Sequence, residues 1–380
     1  MEVEEILKKL VSINSVFGSE QSIGEYLDAY LKRMGFRTRR QQIAPGRFNI
    51  LAQRGQGSES LLFYGHMDTV TAHGAWKRGP FELRKEGDKL YGLGACDMKG
   101  GLAAMLKVLE SEPARKRKMK VLLCPDEENI SEGAWNAIKE REWFRDVNFI
   151  VSCEPGDSKR HNGGANVITV GRRGRAVISA DVHGLSSHGA NPQRGVNAID
   201  EAAKIILASH HFKLRNHARL GRENIFVRSI TGKSDSALDL PDAVHLEFDI
   251  QLVPPSTVND AKSRISEMVS QLQMRGKLNP KTRVDIMVKE RKTPYIEPYM
   301  NDLSDKSIRK LLNLIEKNLR PPALNYGSSV ADDNILANAF HKPIVTIGPK
   351  AGNLHAPEEW TSLSSLKELV KVYGLIIREI

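Results

Sequence analysis

The sequence predicts an α/β fold, and three observations carry that expectation. Strand-length apolar runs alternate with stretches of helical apolar spacing through the first part of the chain. Successive runs, near Leu61, Val121 and Phe149, each lead at the carboxyl end into a histidine or an acidic residue. The alternation changes character after Val167 and resumes near Leu303, as expected for a smaller α+β domain inserted into an α/β one.

Taken in order, Val3, Ile6, Leu7, Leu10 and Val11 have the spacing of one helix face. Ile23, Tyr26, Leu27, Tyr30, Leu31 and Met34 repeat it, with Gly35 as a stop signal. Extended pieces over 37–43 and 49–53 lead to the strand that ends at His66. A helix is expected over 102–109, then a strand over 120–124 running into Pro125-Asp126-Glu127-Glu128. A helix over 134–141 precedes a strand over 149–153, which leads to Glu154-Pro155. Residues 168–184 read as two strands about a glycine-arginine turn. Helix 197–208, strand 244–253 and helix 258–273 complete the insert. The chain then returns with helix 303–318, strand 344–347, the loop 352–360 and a last helix. The expected division is a main domain in two parts, 1–174 and 290–380, around an inserted domain at 175–289.

Composition narrows the function. A chain of 380 residues with 40% hydrophobic and 27% charged content can bury a large core. Its apolar runs are far too short to span a bilayer, so no membrane partner is expected. The start, MEVEEILKKL, is acidic and amphipathic, unlike a secretory signal, and a cytoplasmic protein is expected. Three widely spaced cysteines with no CxxC pair give neither a disulfide framework nor a thiolate zinc site. Cys96 and Cys153 adjoin Asp97 and Glu154, so on extended backbone they face away from them. The net charge of +10 raises nucleic acid as a partner. The densest cluster, Arg115-Lys116-Arg117-Lys118, has no aromatic interleaving and reads as a solvated loop. No nucleic-acid partner is expected, and an anionic substrate is the secondary meaning of the charge.

The chemistry concentrates in residues 61–101. Side chains alternate along a strand, so His66 and Asp68 emerge on one face at its end. A neutral imidazole suits zinc, and a nearby carboxylate can fix its tautomer. Asp97 follows in the turn Gly-Ala-Cys-Asp-Met-Lys-Gly-Gly, whose glycines would let the backbone approach an ion or substrate. Taken singly, His66 reads as a surface histidine, Glu127-Glu128 as a solvated acidic turn and His355 as a loop histidine. Arrival at successive strand ends of an α/β sheet, where ligands gather, favours a site.

Six segments carry a family resemblance: HMDTV, GACDMKGG, PDEE, SCEP, HGLSSHGANPQRGVNAI and HAPEEW. In this order they resemble the M20 family of cocatalytic-zinc amidohydrolases. That family includes acetylornithine deacetylases, succinyl-diaminopimelate desuccinylases, aminoacylases and several exopeptidases. The resemblance implies a zinc-hydrolase-type three-layer α/β/α catalytic domain with an inserted lid and dimerisation domain. It implies two zinc ions, with cobalt or manganese as substitutes. His66 and Glu154 would hold one, Glu128 and His355 the other, and Asp97 would bridge them. Asp68 would orient His66, and Glu127 would be the general base. His188 matches a lid histidine that reaches the partner subunit's site in a homodimer and stabilises an oxyanion. The resemblance also implies that Glu at position 154 favours deacylation of an N-acyl amino acid over peptide trimming by a di- or carboxypeptidase, since exopeptidase relatives more often carry Asp there.

The chain also departs from the family pattern. Relatives carry an Asn and an Arg that hold the substrate, and the matching segments, 230–242 and 246–255, place Asp239 and Gln251 there. Gln cannot supply the charged fork of Arg. The family's G-[TS]-S-D becomes Gly327-Ser-Ser-Val-Ala-Asp-Asp333. Arg172, Arg173 and Arg291 are candidate replacements for the clamp.

Overall fold

The computed structural model describes residues 1–112, 118–156, 163–234, 236 and 238–380. Arg115, Lys116 and Arg117 of the basic cluster lie outside the described residues, as do Asp235 and Ala237 of segment 230–242. The chain forms two compact units, Met1–Arg172 with Met300–Ile380, and Arg173–Tyr299.

The first unit is built on a mixed sheet. Its strands run in the order Arg37–Ala44, Arg47–Arg54, Lys118–Cys124, Ser60–His66, Val147–Ser152, Ile344–Thr346 and Val167–Arg172, with Ala323–Gly327 beside the last. Leu61, Phe63, Val121, Leu123, Phe149 and Val151 join one apolar cluster with Leu7, Leu106 and Leu369 from the helices Val3–Val11, Lys99–Ser111 and Leu363–Glu379. Their strand neighbours Leu62, Tyr64, Leu122 and Ile150 are also buried, on the other face. There the Tyr64 hydroxyl donates to Asp332 at 2.5 Å, on the helix Asp332–Phe340. Burial on both faces explains why these strands read as continuous apolar runs. Each such side chain contributes about 1.5–3 kcal/mol, which makes the sheet a stiff platform.

Parallel pairing then fixes where the acidic residues emerge. Ser60–His66 lies parallel to both Lys118–Cys124 and Val147–Ser152, with His66 opposite Cys124 and Tyr64 opposite Ser152. Asp68, Glu127 and Glu154 therefore leave the sheet at one edge. The glycines after Asp97 have a use the sequence did not indicate. A Cβ on Gly101 would sit 1.8 Å from the Cys153 carbonyl oxygen, so the start of helix Lys99–Ser111 abuts a strand end that only glycine permits. The expected helix 134–141 is two pieces, Glu132–Ala137 and Arg141–Phe144. The N–H groups of Lys139 and Glu140 bond back three residues, to Asn136 and Ala137, and close the first helix.

The second unit is an antiparallel sheet ordered Asn224–Gly232, Ala243–Leu252, Gly174–His183, Arg283–Val288. Helices Ala198–Ser209 and Val258–Met274 contribute Ile205 and Ile265 to a cluster with Ile178, Val182, Leu246 and Phe248. Asn197 and Thr257 cap these helices by accepting the N–H groups of Ile199 and Asp260. Strands Asn224–Gly232 and Arg283–Val288 were not expected, because they pair on one side only and carry few buried residues. Among the described residues no helix is long and apolar enough to cross a membrane.

Candidate metal centre

The edge where the parallel strands end collects five carboxylates and two histidines of the first unit. His66 is 1% exposed. Its Nδ1 faces the main-chain carbonyl of Asp68 at 3.1 Å and the Asp68 carboxylate at 3.5 Å. Facing two acceptors, Nδ1 carries a proton, and Nε2 points at Asp97 Oδ1, 2.9 Å away, to which it donates when both ring nitrogens are protonated. The Asp68 side chain also has partners away from this ring. Its two carboxylate oxygens accept the main-chain N–H groups of Glu127 at 3.2 Å and Glu128 at 3.0 Å, which fixes the turn that carries both glutamates.

Two sets of ligand atoms converge here. One atom each of His66, Glu127 and Glu154 lie within 4.8 Å of one another, and so do those of His66, Asp97 and Glu128. His355 joins the second set, its Nε2 being 3.1 Å from Glu128 Oε2 and 3.4 Å from Asp97 Oδ2. The Oε1 atoms of Glu128 and Glu154 are buried with no hydrogen-bond partner among the described residues. Unsatisfied buried carboxylate oxygens are costly unless a cation meets them, and the donor set of carboxylates and imidazoles fits zinc or a similar divalent ion.

The electrostatics fit the same reading. Burial opposes ionisation of Asp97, yet hydrogen bonds from His355 and His66 hold its carboxyl well below the usual range. Burial and the nearby Glu154 charge push Glu127 well up. Burial and Asp333 push Glu154 up, against the opposing charge of Arg172.

Several residues that shape the centre were not identified from the sequence. Arg172 is 2% exposed and links Glu154 Oε2 at 3.2 Å to Asp333 Oδ2 at 3.1 Å. It was a candidate substrate clamp, and here it pairs with the candidate ligand Glu154 and with Asp333. Glu359 is 1% exposed and accepts the N–H groups of Gly94, Cys96 and Asp97. Arg47 pairs with Glu20 and with Asp126, each at 3.0 Å, behind the turn that bears Glu127. Glu359 lies inside the quoted segment HAPEEW, and Arg172 in the glycine-arginine turn, so position was visible while partners were not. All three cysteines are buried and form no disulfide, and Cys153 joins the apolar cluster.

The remaining sequence candidates lie in the second unit. His188 is exposed, and its Nδ1 accepts the Ala190 N–H at 3.1 Å, so in the neutral ring Nε2 carries an outward N–H. His188 bridges Asp239 in an isolated antiparallel pair, flanked by Gly189 N–H to Leu238 at 2.6 Å and Leu240 N–H to Ser187 at 2.8 Å. Two segments noted separately in the sequence thus meet. Gln251 turns a buried Oε1 with no partner among the described residues, beside the Arg175–Asp249 ion pair. Arg173 donates to the Leu220 carbonyl and Arg291 to the Thr293 hydroxyl.

Comparison with known proteins follows the same lines. A succinyl-diaminopimelate desuccinylase of Rickettsia massiliae (strain Mtu5) is 26% identical over 389 residues, spanning 98% of this chain and 98% of that protein. Carboxypeptidase G2 of Pseudomonas sp. (strain RS-16) is 36% identical over 212 residues, spanning 53% of this chain and 49% of that protein. A solved tripeptidase from Staphylococcus aureus shares the fold, with a TM-score of 0.76 over 100% of this chain and 98% of that one at 22% identity. The model of peptidase family M20/M25/M40 matches residues 62–379. The chain belongs to peptidase family M20/M25/M40 and is a metal-dependent amidohydrolase.

Proposed function

We propose that the protein is a dinuclear zinc deacylase that releases a carboxylic acid from an N-acylated amino acid. The two sets of convergent ligand atoms, with orphaned oxygens on Glu128 and Glu154, carry this reading. His66 and Glu154 would hold one ion, Glu128 and His355 the other, and Asp97 would be shared. When bound, zinc lowers the pKa of water to about 7 and polarises a carbonyl.

The chain's own groups then do the following. Glu127 takes the proton of the attacking water as the new C–O bond forms at the acyl carbon. It passes that proton to the nitrogen as the C–N bond breaks, so the amine leaves neutral. Asp68 holds His66 in the Nδ1–H form and fixes the turn that aims Glu127. His188 would offer its Nε2–H to the oxyanion from the partner subunit of a homodimer formed through the second unit, an effect of about 3–4 kcal/mol for comparable donors. The second unit would then serve as lid and dimerisation domain. Three buried cysteines with no disulfide fit a reducing, cytoplasmic setting.

A second reading, a carboxypeptidase or dipeptidase with the same machinery, is favoured by the 36% identity to carboxypeptidase G2 over half the chain. Amine release from N-acetyl and N-succinyl amino acids and from unblocked dipeptides, with zinc or cobalt against a chelated control, separates the two. Metal-dependent release from one acyl class is expected. Release from dipeptides alone would move the protein to the second reading, and silence from a protein loaded with two ions would refute both.

A further inference from the structure

We infer that Glu359 is a positioning residue that builds the Asp97 turn before any ion arrives and ties it to the loop of His355. The inference rests on the dinuclear reading above.

The geometry is specific. Glu359 Oε1 accepts the N–H of Cys96 at 2.7 Å and of Asp97 at 2.9 Å, and Oε2 accepts that of Gly94 at 2.9 Å. The Glu359 main-chain carbonyl takes the Gly92 N–H at 3.0 Å, and Trp360, Thr361 and Ser362 pair with Tyr91, Leu90 and Lys89. Successive N–H groups that converge in this way form a concave cradle for an anion, and Gly94 at φ +76° supplies the required turn. Here the anion is a side chain of the protein itself.

That choice has two consequences for the centre. With its N–H held by Glu359, Asp97 has its carboxylate 2.9 Å from His66 Nε2 and 3.4 Å from His355 Nε2. Glu359 also stands four residues after His355, so one buried carboxylate fastens the shared ligand to the loop that carries another. Charge-assisted bonds to three main-chain donors are strong and short, and they need no ion to form. The assembled turn would therefore meet the metal instead of being folded by it.

Hydrogen exchange on the intact protein tests this without any substitution. In peptides covering residues 93–98, protection in the metal-free protein is expected to lie within about tenfold of the zinc-loaded protein. Fast exchange without metal that slows more than about 100-fold on loading would overturn the proposal. A second arm uses Glu359→Gln, which keeps the volume but can accept with one oxygen only. Zinc affinity should fall about 10–100-fold, as for other residues that hold a ligand in place, with circular dichroism unchanged. Asp88→Asn is the control, because Asp88 caps Ser364 and accepts from Ser362 at the same junction without touching the 94–97 turn. It should lower Tm and leave zinc affinity alone. Wild-type affinity in Glu359→Gln overturns the proposal, and if that variant does not fold the exchange arm decides. A wild-type protein that binds no zinc refutes the dinuclear reading, while protection of the turn would still support the role of Glu359 in building it.

Discussion

The two halves of the candidate centre are built differently. His66 and Glu154 sit at the ends of adjacent parallel strands, 1% and 6% exposed, on backbone held by the sheet. His355 has a side chain 48% exposed and stands in a loop where Asn353, His355 and Glu358 all have positive φ, at 56°, 55° and 59°. Left-handed backbone at non-glycine residues costs about 1–3 kcal/mol each and persists only when neighbours enforce it. The enforcement is visible. Glu358 accepts the Lys77 N–H at 2.9 Å and pairs with Arg84, while Asn353 donates to the Glu358 carbonyl at 2.9 Å. One half is thus fixed by a sheet that would fold in any case, and the other by side-chain ties around strained backbone. The lesson is that the exposed half should form last and release its ion first.

The largest effect expected belongs to the buried half. Glu127→Gln should lower kcat about 10²–10⁴-fold with zinc content unchanged, as for loss of a general base. An unaltered kcat would remove Glu127 from the chemistry. The comparison itself is tested by His66→Ala against His355→Ala in equilibrium dialysis and thermal melts. His66→Ala should lose the equivalent of zinc that His66 holds with Glu154 and lower Tm, because it removes a fully buried side chain. His355→Ala should weaken one equivalent about 10–100-fold and barely move Tm. Equal losses from both would erase the distinction between the halves.

The smallest effect is a pH dependence of the metal-free protein. Hydrogen bonds to Asp97 and Glu128 lift His355 to about 10, above its unfolded value of about 6.5. A raised folded pKa gives stability that is complete below about 6.5 and lost as pH climbs through 10. With the ring half exposed, screening keeps the contribution below about 1 kcal/mol. The stability difference between wild type and His355→Gln in denaturant melts should therefore narrow from pH 7 to 10. A difference that stays flat or widens would show that His355 has no such charged partners.

Much of the fold was legible because burial on both faces writes itself as unbroken apolar runs, as in Leu61–Phe63 and Val121–Leu123. Strands Asn224–Gly232 and Arg283–Val288 were missed because their apolar residues are scattered and half exposed, including Phe226 at 53% and Met287 at 48%. Among candidate site residues, His66, Asp97, Glu127, Glu128, Glu154 and His355 could be named beforehand because their six segments, taken in order, resemble those of the M20 family. Arg172 could not be assigned, since a guanidinium near a site suits a substrate or a ligand equally until its neighbours are known.

By itself, the sequence determined the alternation of elements, the residue types at the strand ends, and hence the donor chemistry offered to a metal. Those follow from periodicity and composition, which are properties of short stretches. Only the tertiary structure decided that Asp68 holds the Glu127–Glu128 turn by its backbone, that Arg172 pairs with Glu154 and Asp333, and that Glu359 closes on residues 94–97. Each of these contacts joins residues far apart in the chain through directional hydrogen bonds of about 3 Å, and no local pattern records where such a partner will arrive.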